Sequence, residues 1–265
     1  MTMRGAISRR EFFQGLGVAA AGLYAGVPRL GAATPLPCAP VAVAQCPTYG
    51  RPVHVTLSTM FDQVGGLDRL VRGKTVAVKL NMTGEATDRL RGMPLELTHW
   101  VHPDVITSTI SLLGEAGARR IRLVESTLSP VDSLRAFMRQ AGWNPQEFSS
   151  AAANVEFEDT NYAGPSGKYV RLWVPGGGML FKAYNLNHSY TDCDVYVSLA
   201  KLKEHATAGV TLSMKNSFGI TPATIYGKGA GIDEPAKVVK GSRDMIHYGN
   251  REPSRVALPE KDPSS

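Results

Sequence analysis

Cysteine is scarce in this sequence, and the three that occur, at positions 38, 46 and 193, form no closely spaced run of the CxxCxxC type. An iron–sulfur cluster held by this chain alone is therefore not expected, because such a cluster needs four cysteine thiolates. Cys38 and Cys46 lie in a Pro- and Ala-rich segment, where a local disulfide is one prediction and two free thiols the alternative. Cys193 precedes a predicted strand and is expected to be a buried, unreactive thiol.

Several motifs of common enzyme classes are also missing. No G-x-S-x-G sequence occurs, so a hydrolase triad of the nucleophile-elbow type has no support. The "PGGGM" segment at 175–179 departs from G-x-G-x-x-G and precedes a predicted strand, which favours a hairpin turn over a phosphate-binding loop. His99, His102 and Glu125 offer ligand types for a divalent ion but at no recognised spacing, so no metal site is predicted.

The N-terminus carries a short apolar run rather than a membrane-spanning one. Residues 16–27 are apolar but fall short of the roughly 20 residues that a spanning helix needs, so no permanent membrane anchor is expected. A basic start precedes the run and small residues follow it up to Ala33, which is the layout of an export signal. The stretch around Arg9 and Arg10 resembles the twin-arginine (Tat) signal. We therefore predict a signal peptide at 1–33, recognition by the Tat machinery, and a periplasmic or cell-envelope location.

The positive charge of the chain depends partly on this predicted signal. Residues 1–33 contain four arginines and one glutamate, so their removal lowers the formal net charge from +6 to +3. A modest charge of this size gives no reason to expect a nucleic-acid partner. The remaining residues are enough for one domain with a full core.

The order of predicted elements indicates an α/β fold. A Pro-rich linker is predicted at 34–52, an α/β domain at 53–230 and a charged, Pro-containing tail at 231–265. Apolar periodicity predicts helices at 58–71, 103–116 and within 129–143, and strands at 74–81, 120–126, 155–158, 170–174, 179–185 and 194–200. Alternating strands and helices favour a mainly parallel central sheet with helices on both faces, and the middle region adds an antiparallel excursion. Whether the C-terminal part of the fold is complete stays open.

Polar side chains follow the predicted parallel strands at the point where each strand ends. Ligands bind at the carboxyl ends of strands in an open α/β sheet, so these side chains are expected to share one edge. Extended backbone after residue 200 would direct positions 201, 203 and 205 to the same side. The side chains concerned are Lys79, Asn81, Glu125, Lys201, Lys203 and His205.

Two further residues and one helix start complete the predicted site. Lys215 and Asn216 follow an apolar run that returns towards the same edge, and His102 opens a helix whose free N–H groups attract anions. Together the residues predict a cleft for a phosphate or carboxylate, with Asn216 as an orienting amide. In an enzyme, His205 or Glu125 would act as general acid or base. The alternative is that the lysines are ordinary solvated surface residues.

Three segments of the chain resemble a known protein family. "VAVKLN", "HWVHPDVITSTISLLGEAGARRIRLVES" and "VYVSLAKLKEHATAGVTLSMKNSFGITP" are similar, in this order, to the domain-of-unknown-function family 362 (DUF362). The matching residues, within about 53–230, are Lys79, Asn81, His102, Pro103, Glu125, Lys203, His205, Lys215, Asn216 and Gly219.

The resemblance implies an α/β fold and a site at these residues, but no established reaction and no identified cofactor. Tat signals are common in the family, which agrees with Arg9 and Arg10. Many members look longer at the C-terminus, and some carry a ferredoxin-like module with cysteine clusters that this chain lacks. A second hypothesis is an envelope protein that binds a cofactor or metal and serves a redox partner; Tat export favours it, because that route carries proteins already folded, often around a cofactor.

Overall fold

The computed structural model describes residues 39–128, 133–178, 181–205, 208–231, 233–239 and 243–248. The chain divides into residues 1–40 and residues 41–265, and the following description concerns the second unit. The predicted signal peptide, Arg9, Arg10 and Cys38 lie outside the described residues. The predicted disulfide therefore stays a prediction. The sulfur of Cys46 donates to the carbonyl oxygen of Thr48.

The described residues form eight strands and nine α-helices. The strands are β1 (Thr75–Lys79), β2 (Arg120–Glu125), β3 (Val155–Asp159), β4 (Val170–Trp173), β5 (Ala183–Leu186), β6 (Val195–Ser198), β7 (Lys203–His205) and β8 (Gly209–Thr211). The helices are α1 (Arg51–Gln63), α2 (Asp68–Val71), α3 (Leu95–Thr98), α4 (Pro103–Glu115), α5 (Leu134–Gln140), α6 (Pro145–Ser150), α7 (Ser213–Ser217), α8 (Ala223–Tyr226) and α9 (Asp244–Tyr248).

Four parallel strands form the central sheet in the order β3-β2-β1-β6. The register places Val76 of β1 beside Ile121 of β2 and Val195 of β6. All five residues of β1 are buried, which fits the apolar sequence of a strand covered on both faces. The parallel α/β fold predicted from the sequence is confirmed.

One face of the sheet packs against helices α4, α5 and α6. Ile106 and Ile110 of α4 share a buried core with Phe137 of α5, Phe148 of α6 and Val78 of β1. Helix α4 begins where the sequence predicts it, because Pro103 suits the first helical position and the His102 ring accepts from the Asp104 amide at its N-cap. Burial of each of these apolar side chains stabilises the folded state by about 1.5–3 kcal/mol.

The opposite face carries shorter elements. The hydroxyl of Tyr196, on β6, contacts that of Ser217 on helix α7 at 3.1 Å. The Arg122 guanidinium, on β2, donates to Asp192 at 2.8 Å and to Ser189 at 3.3 Å. Helices therefore lie on both faces, but this second face is more polar, and α7 brings Lys215 and Asn216 onto the sheet.

The middle of the chain adds the predicted antiparallel excursion. Strands β4 and β5 pair antiparallel and form a separate two-stranded sheet, with Val170 opposite Leu186. Strand β3, in contrast, joins the central sheet as its edge strand. A second hairpin, β7–β8, was not predicted, and it carries Lys203 and His205.

Two predicted helix boundaries differ from the structure. The helix predicted at 58–71 is two helices, α1 from Arg51 and α2 from Asp68, because Pro52 suits the helix start and the positive φ angles of Gly65 and Gly66 interrupt the helical backbone. Helix α5 begins after Ser133, whose hydroxyl caps the Ala136 amide, whereas Ser129 and Asp132 lie outside the described residues. Within the described part of the chain, no helix has both the length and the apolar character needed to cross a membrane.

Candidate functional site

The four parallel strands end in polar side chains at one edge of the sheet. Lys79 ends β1, Glu125 ends β2, Asp159 ends β3 and Ser198 ends β6. Parallel strands bring their carboxyl ends to the same edge, so residues distant in sequence become neighbours. The sequence predicted this edge as the site, although it singled out neither Asp159 nor Ser198.

Lys79 and Glu125 form a buried ion pair, which we call the cavity floor. The Lys79 ammonium donates to Glu125 Oε1 and, at 2.7 Å, to the carbonyl oxygen of Leu80. The Glu125 carboxylate also accepts the backbone amides of Met82 at 2.8 Å and Ser126 at 2.9 Å. Burial lowers the pKa of Lys79, and the attraction of Glu125 opposes this effect only in part. The carboxylate is thus held by three donors, one of which is the lysine.

Gly219 lies directly over the cavity floor. A Cβ atom at this position would lie 3.1 Å from Lys79 Nζ and 3.9 Å from Glu125 Oε1. The missing side chain therefore lets the backbone of Gly219 pack closely against the lysine, at a distance where a Cβ atom would be tighter than ordinary van der Waals contact. The carbonyl oxygen of Gly219 accepts from the Ser126 hydroxyl at 2.5 Å, which holds the backbone of Gly219 next to the ion pair.

A cavity of about 290 Å³ opens above the floor. It contains six of the nine residues that the sequence predicted to bind ligand or act in catalysis. These are Lys79, Asn81, Glu125, His205, Lys215 and Asn216. The other lining residues are Met82, Thr83, Ser126, Leu128, Phe218, Gly219, Arg243 and His247.

Cationic and imidazole groups surround the mouth of the cavity. Burial and the nearby Arg243 guanidinium both lower the pKa of Lys215, whose ammonium lies 4.6 Å from the centre of the Phe218 ring. The pKa of His205 is lowered by burial and then by Lys215, His247 and Lys203. Because these neighbours carry like charge, the neutral imidazole is the favoured form of His205.

Arg243 is the cationic residue that the sequence did not predict. Its buried guanidinium donates to the carbonyl oxygens of Thr221 at 2.5 Å and Gly219 at 3.2 Å, and to the hydroxyl of Ser126. These bonds fix the 219–221 loop to the end of β2. Arg243 and His247 come from the segment interpreted as a charged tail, which has no apolar periodicity to mark it as part of the fold.

Two asparagine side chains connect the floor to the β7–β8 hairpin. Asn81 Nδ2 donates to Asn216 Oδ1 at 3.1 Å, and Asn216 Nδ2 donates to the Ser198 hydroxyl at 2.9 Å. Asn81 Oδ1 accepts from the Lys203 ammonium at 2.6 Å. Burial lowers the pKa of Lys203 to about 8, with Glu125 acting in the opposite direction. Asn216 is thus an orienting residue for its neighbours inside the protein.

The structure places the remaining predicted residues outside the cavity. Lys203 bonds Asn81 and, at 2.7 Å, the carbonyl oxygen of His99, so it supports the cavity wall. Lys201 donates to the Tyr49 hydroxyl at 3.4 Å and to the Glu96 carbonyl oxygen at 3.1 Å. The His102 ring stacks on Tyr49 with their centres 3.5 Å apart. We call Tyr49, His102 and Lys201 the outer cluster.

Asp159 is a half-buried residue whose carboxyl group lies near that of Glu125. It accepts from the Thr127 hydroxyl at 2.9 Å and from the Asn161 amide at 3.0 Å. Burial raises its pKa to about 6, and the nearby charge of Glu125 contributes in the same direction. Within the residues that the structure describes, no group of three or more His, Cys, Asp or Glu side chains is arranged to hold a metal ion.

Comparison with known proteins places the chain in a family. It is 27% identical over 169 residues to the "Thylakoid-associated protein sll1697" of Synechocystis sp., an alignment that covers 63% of this chain and 46% of that protein. The chain thus spans less than half the length of this curated relative. No solved structure matches the chain. The family model "Domain of unknown function (DUF362)" matches residues 76–236, which is more than half of the chain. The chain therefore belongs to the DUF362 family.

Proposed function

We propose that the cavity binds a small molecule through a phosphate or carboxylate group. The observation that carries this proposal is the charge of the cavity lining. It contains three cationic side chains, those of Lys79, Lys215 and Arg243, and one carboxylate, that of Glu125. Glu125 is already paired with Lys79, and neither Lys215 nor Arg243 forms a salt bridge within the described residues. The cavity lining therefore carries an excess of positive charge that an anionic ligand would neutralise.

The size of the cavity supports a small ligand. Its volume of about 290 Å³ lies at the lower end of the range found for ligand pockets, about 300–1,000 Å³. Phe218 adds an apolar wall, and the amides of Asn81 and Asn216 lie within the lining. We therefore propose a ligand of a few carbon atoms with one anionic group, rather than a polymer.

His205 has the properties of a general base in this proposal. Its pKa is lowered by burial and by Lys215, so the imidazole is neutral near pH 7 and free of the positive charge that would prevent it from accepting a proton. His205 Nδ1 accepts from the Ala208 amide at 3.2 Å, which orients the ring. In the same proposal Glu125 holds Lys79 in place, because its two oxygens already accept from Lys79, Met82 and Ser126.

Thermal denaturation tests the anion-binding proposal. The purified chain is heated with a panel of phosphates, carboxylates, nucleotides and divalent metal ions. A ligand that binds only the native state raises its stability, by about 2.7 kcal/mol at a hundred times the dissociation constant. We expect stabilisation by one class of anion. Equal curves for all anions, or stabilisation by metal ions alone, would contradict the proposal.

We also propose that the protein is exported to the periplasm or cell envelope by the Tat machinery. The support is the order of basic, apolar and small residues at 1–33, with the arginine pair Arg9 and Arg10. Cell fractionation of the wild type and of an Arg9→Lys/Arg10→Lys variant tests this. Retention of the variant in the cytoplasm supports Tat export, whereas unchanged export contradicts it.

A further inference from the structure

We propose that Lys79 forms a Schiff base with a small aldehyde or ketone that carries a carboxylate or phosphate. This inference rests on the proposed anion site and adds the reacting group. Two structural facts support it: Lys79 lines the cavity together with the cationic residues Lys215 and Arg243, and the neighbouring Gly219 has no side chain that could cover the amine. Lysine amines of buried sites are established nucleophiles towards carbonyl groups.

The environment of Lys79 makes the neutral amine that this chemistry needs easier to reach than at an exposed lysine. The residue is 1% exposed, so its ammonium form has lost almost all hydration. Burial lowers the pKa of Lys79, and the positive charge of Arg243 also contributes. Glu125 is in direct contact with the nitrogen and can accept its proton. Most surface lysines lack both the desolvation and the adjacent proton acceptor.

The proposed step is balanced within the site. One proton moves from the Lys79 ammonium to Glu125. The amine lone pair then forms a bond to the carbonyl carbon, and the π electrons of the carbonyl move to its oxygen, which takes a proton from the nitrogen. The nitrogen lone pair next expels this hydroxyl group, which leaves as water with the proton from Glu125. The products are a protonated imine on Lys79, the Glu125 carboxylate and one water molecule, with no oxidation or reduction.

The cationic mouth defines which carbonyl compounds would react. Lys215 and Arg243 line the same cavity as Lys79, so an anionic group bound near them would bring an adjacent carbonyl carbon towards the amine. The class includes 2-oxo acids such as pyruvate and phosphorylated carbonyl compounds such as dihydroxyacetone phosphate. Neutral aldehydes would lack this positioning and are expected to react less.

Reductive trapping tests the proposal on the purified chain. The protein is incubated with pyruvate or dihydroxyacetone phosphate, treated with sodium borohydride, and mapped by peptide mass spectrometry. We expect one adduct at Lys79, with roughly tenfold or greater preference over the exposed Lys168 and Lys182, because Lys79, unlike these two residues, is desolvated and lines the cavity. Label distributed over exposed lysines, label at Lys215 instead, or no adduct with either compound would overturn it.

Gly219→Ala is the variant that keeps both charged residues of the floor. The backbone of Gly219 does not have the positive φ angle that disfavours alanine, and the added methyl group would lie 3.1 Å from Lys79 Nζ, closer than ordinary van der Waals contact. We expect adduct formation to fall roughly tenfold or more, because the methyl group covers the amine on this side and shifts it from its position. The same contact overpacks the site, which costs about 1–3 kcal/mol of unfolding free energy, so labelling is measured well below the denaturation temperature of the variant. Unchanged labelling of Lys79 in the folded variant would contradict approach to the amine from the side of Gly219.

The two proposals fail in different ways. Lactate and glycerol 3-phosphate carry the same anionic groups without a carbonyl, so they report anion binding alone. Stabilisation by these compounds together with no trapped adduct would exclude the Schiff base and keep the anion site. Absence of both stabilisation and adduct would remove the proposed function itself.

Discussion

The cavity floor and the outer cluster contain similar side chains in different surroundings. At the floor, Lys79 and Glu125 are buried, paired with one another and located where two parallel strands end. In the outer cluster, Lys201 bonds a tyrosine hydroxyl and a backbone carbonyl oxygen, and His102 caps helix α4. The difference shows that a lysine near a strand end is not enough to indicate a ligand site. Burial and a place in the cavity lining distinguish Lys79 from Lys201, since both lysines have hydrogen-bond acceptors.

Loss of the floor carboxylate should give the largest change. Glu125→Gln leaves the Lys79 ammonium buried without its counter-charge, so the free energy of unfolding should fall by about 3–5 kcal/mol. Urea denaturation measures this, with Glu204→Gln at an exposed position of β7 as the control. A double variant, Lys79→Met/Glu125→Leu, should recover most of the loss. If Glu125→Gln lost no more unfolding free energy than Glu204→Gln, the ion pair of the floor would contribute as little to stability as we expect of the outer cluster.

Asp159 provides a pH-dependent test of burial at the same edge. Its folded-state pKa of about 6 lies above the ordinary value of 3.8, so the folded state holds a proton that the unfolded state has lost between these pH values. The free energy of unfolding that arises from this raised pKa therefore falls as pH rises, by about 3 kcal/mol between roughly pH 4 and pH 7. The stability of Asp159→Asn relative to wild type should increase by this amount over the same range.

Urea denaturation at several pH values measures the Asp159 effect. The exposed variant Asp62→Asn controls for the loss of one negative charge. A difference between Asp159→Asn and wild type that does not vary with pH would show that the carboxyl group is not desolvated at the end of β3.

The asparagine pair should give an intermediate effect. Asn216→Ala removes the donor to Ser198 and leaves the buried Asn81 amide without its acceptor, at a cost of about 1–3 kcal/mol in unfolding free energy. Asn154→Ala, which removes an exposed side-chain bond to the Arg119 carbonyl oxygen, is the matched control. If both variants lose the same stability, the asparagine pair does not organise the cavity wall.

The outer cluster should give the smallest effect on stability. Lys201→Met removes partly exposed hydrogen bonds to Tyr49 and to the Glu96 carbonyl oxygen, so the unfolding free energy should change by no more than about 0.5 kcal/mol. Denaturation of this variant beside Glu125→Gln measures the contrast directly. A loss of several kcal/mol would show that the outer cluster is as important to the fold as the floor.

The sequence predicted that Lys79 and Glu125 share one edge of the sheet, because strand periodicity located the ends of β1 and β2 and parallel pairing makes those ends neighbours; it did not predict their ion pair. It also placed His205, Lys215 and Asn216 near the same edge. It did not predict Arg243, since a single arginine in a segment without periodicity gives no local signal, and the guanidinium reaches the cavity only through tertiary contacts with Ser126 and Thr221.

The sequence also grouped Lys201 with Lys203 and His205 through their alternate spacing. This spacing describes the direction of side chains along an extended backbone but not the partners that they meet. In the fold, Lys201 meets the carbonyl oxygen of Glu96 and Lys203 meets that of His99, both near the end of helix α3. The position of α3 depends on tertiary packing. The spacing of residues along the chain therefore could not predict that Lys201 and Lys203 bond to this segment and lie outside the cavity.

Calorimetric titration of two lysine variants tests the anion site most directly. Wild type, Lys215→Met and Lys201→Met are each titrated with pyruvate and with inorganic phosphate at constant ionic strength. The account predicts that Lys215→Met weakens binding of the preferred anion by roughly tenfold or more, the loss expected for a charge-assisted contact of about 1.5–3 kcal/mol, and that Lys201→Met keeps the wild-type affinity. Equal effects of the two substitutions, or no binding of either anion to the wild type, would contradict it.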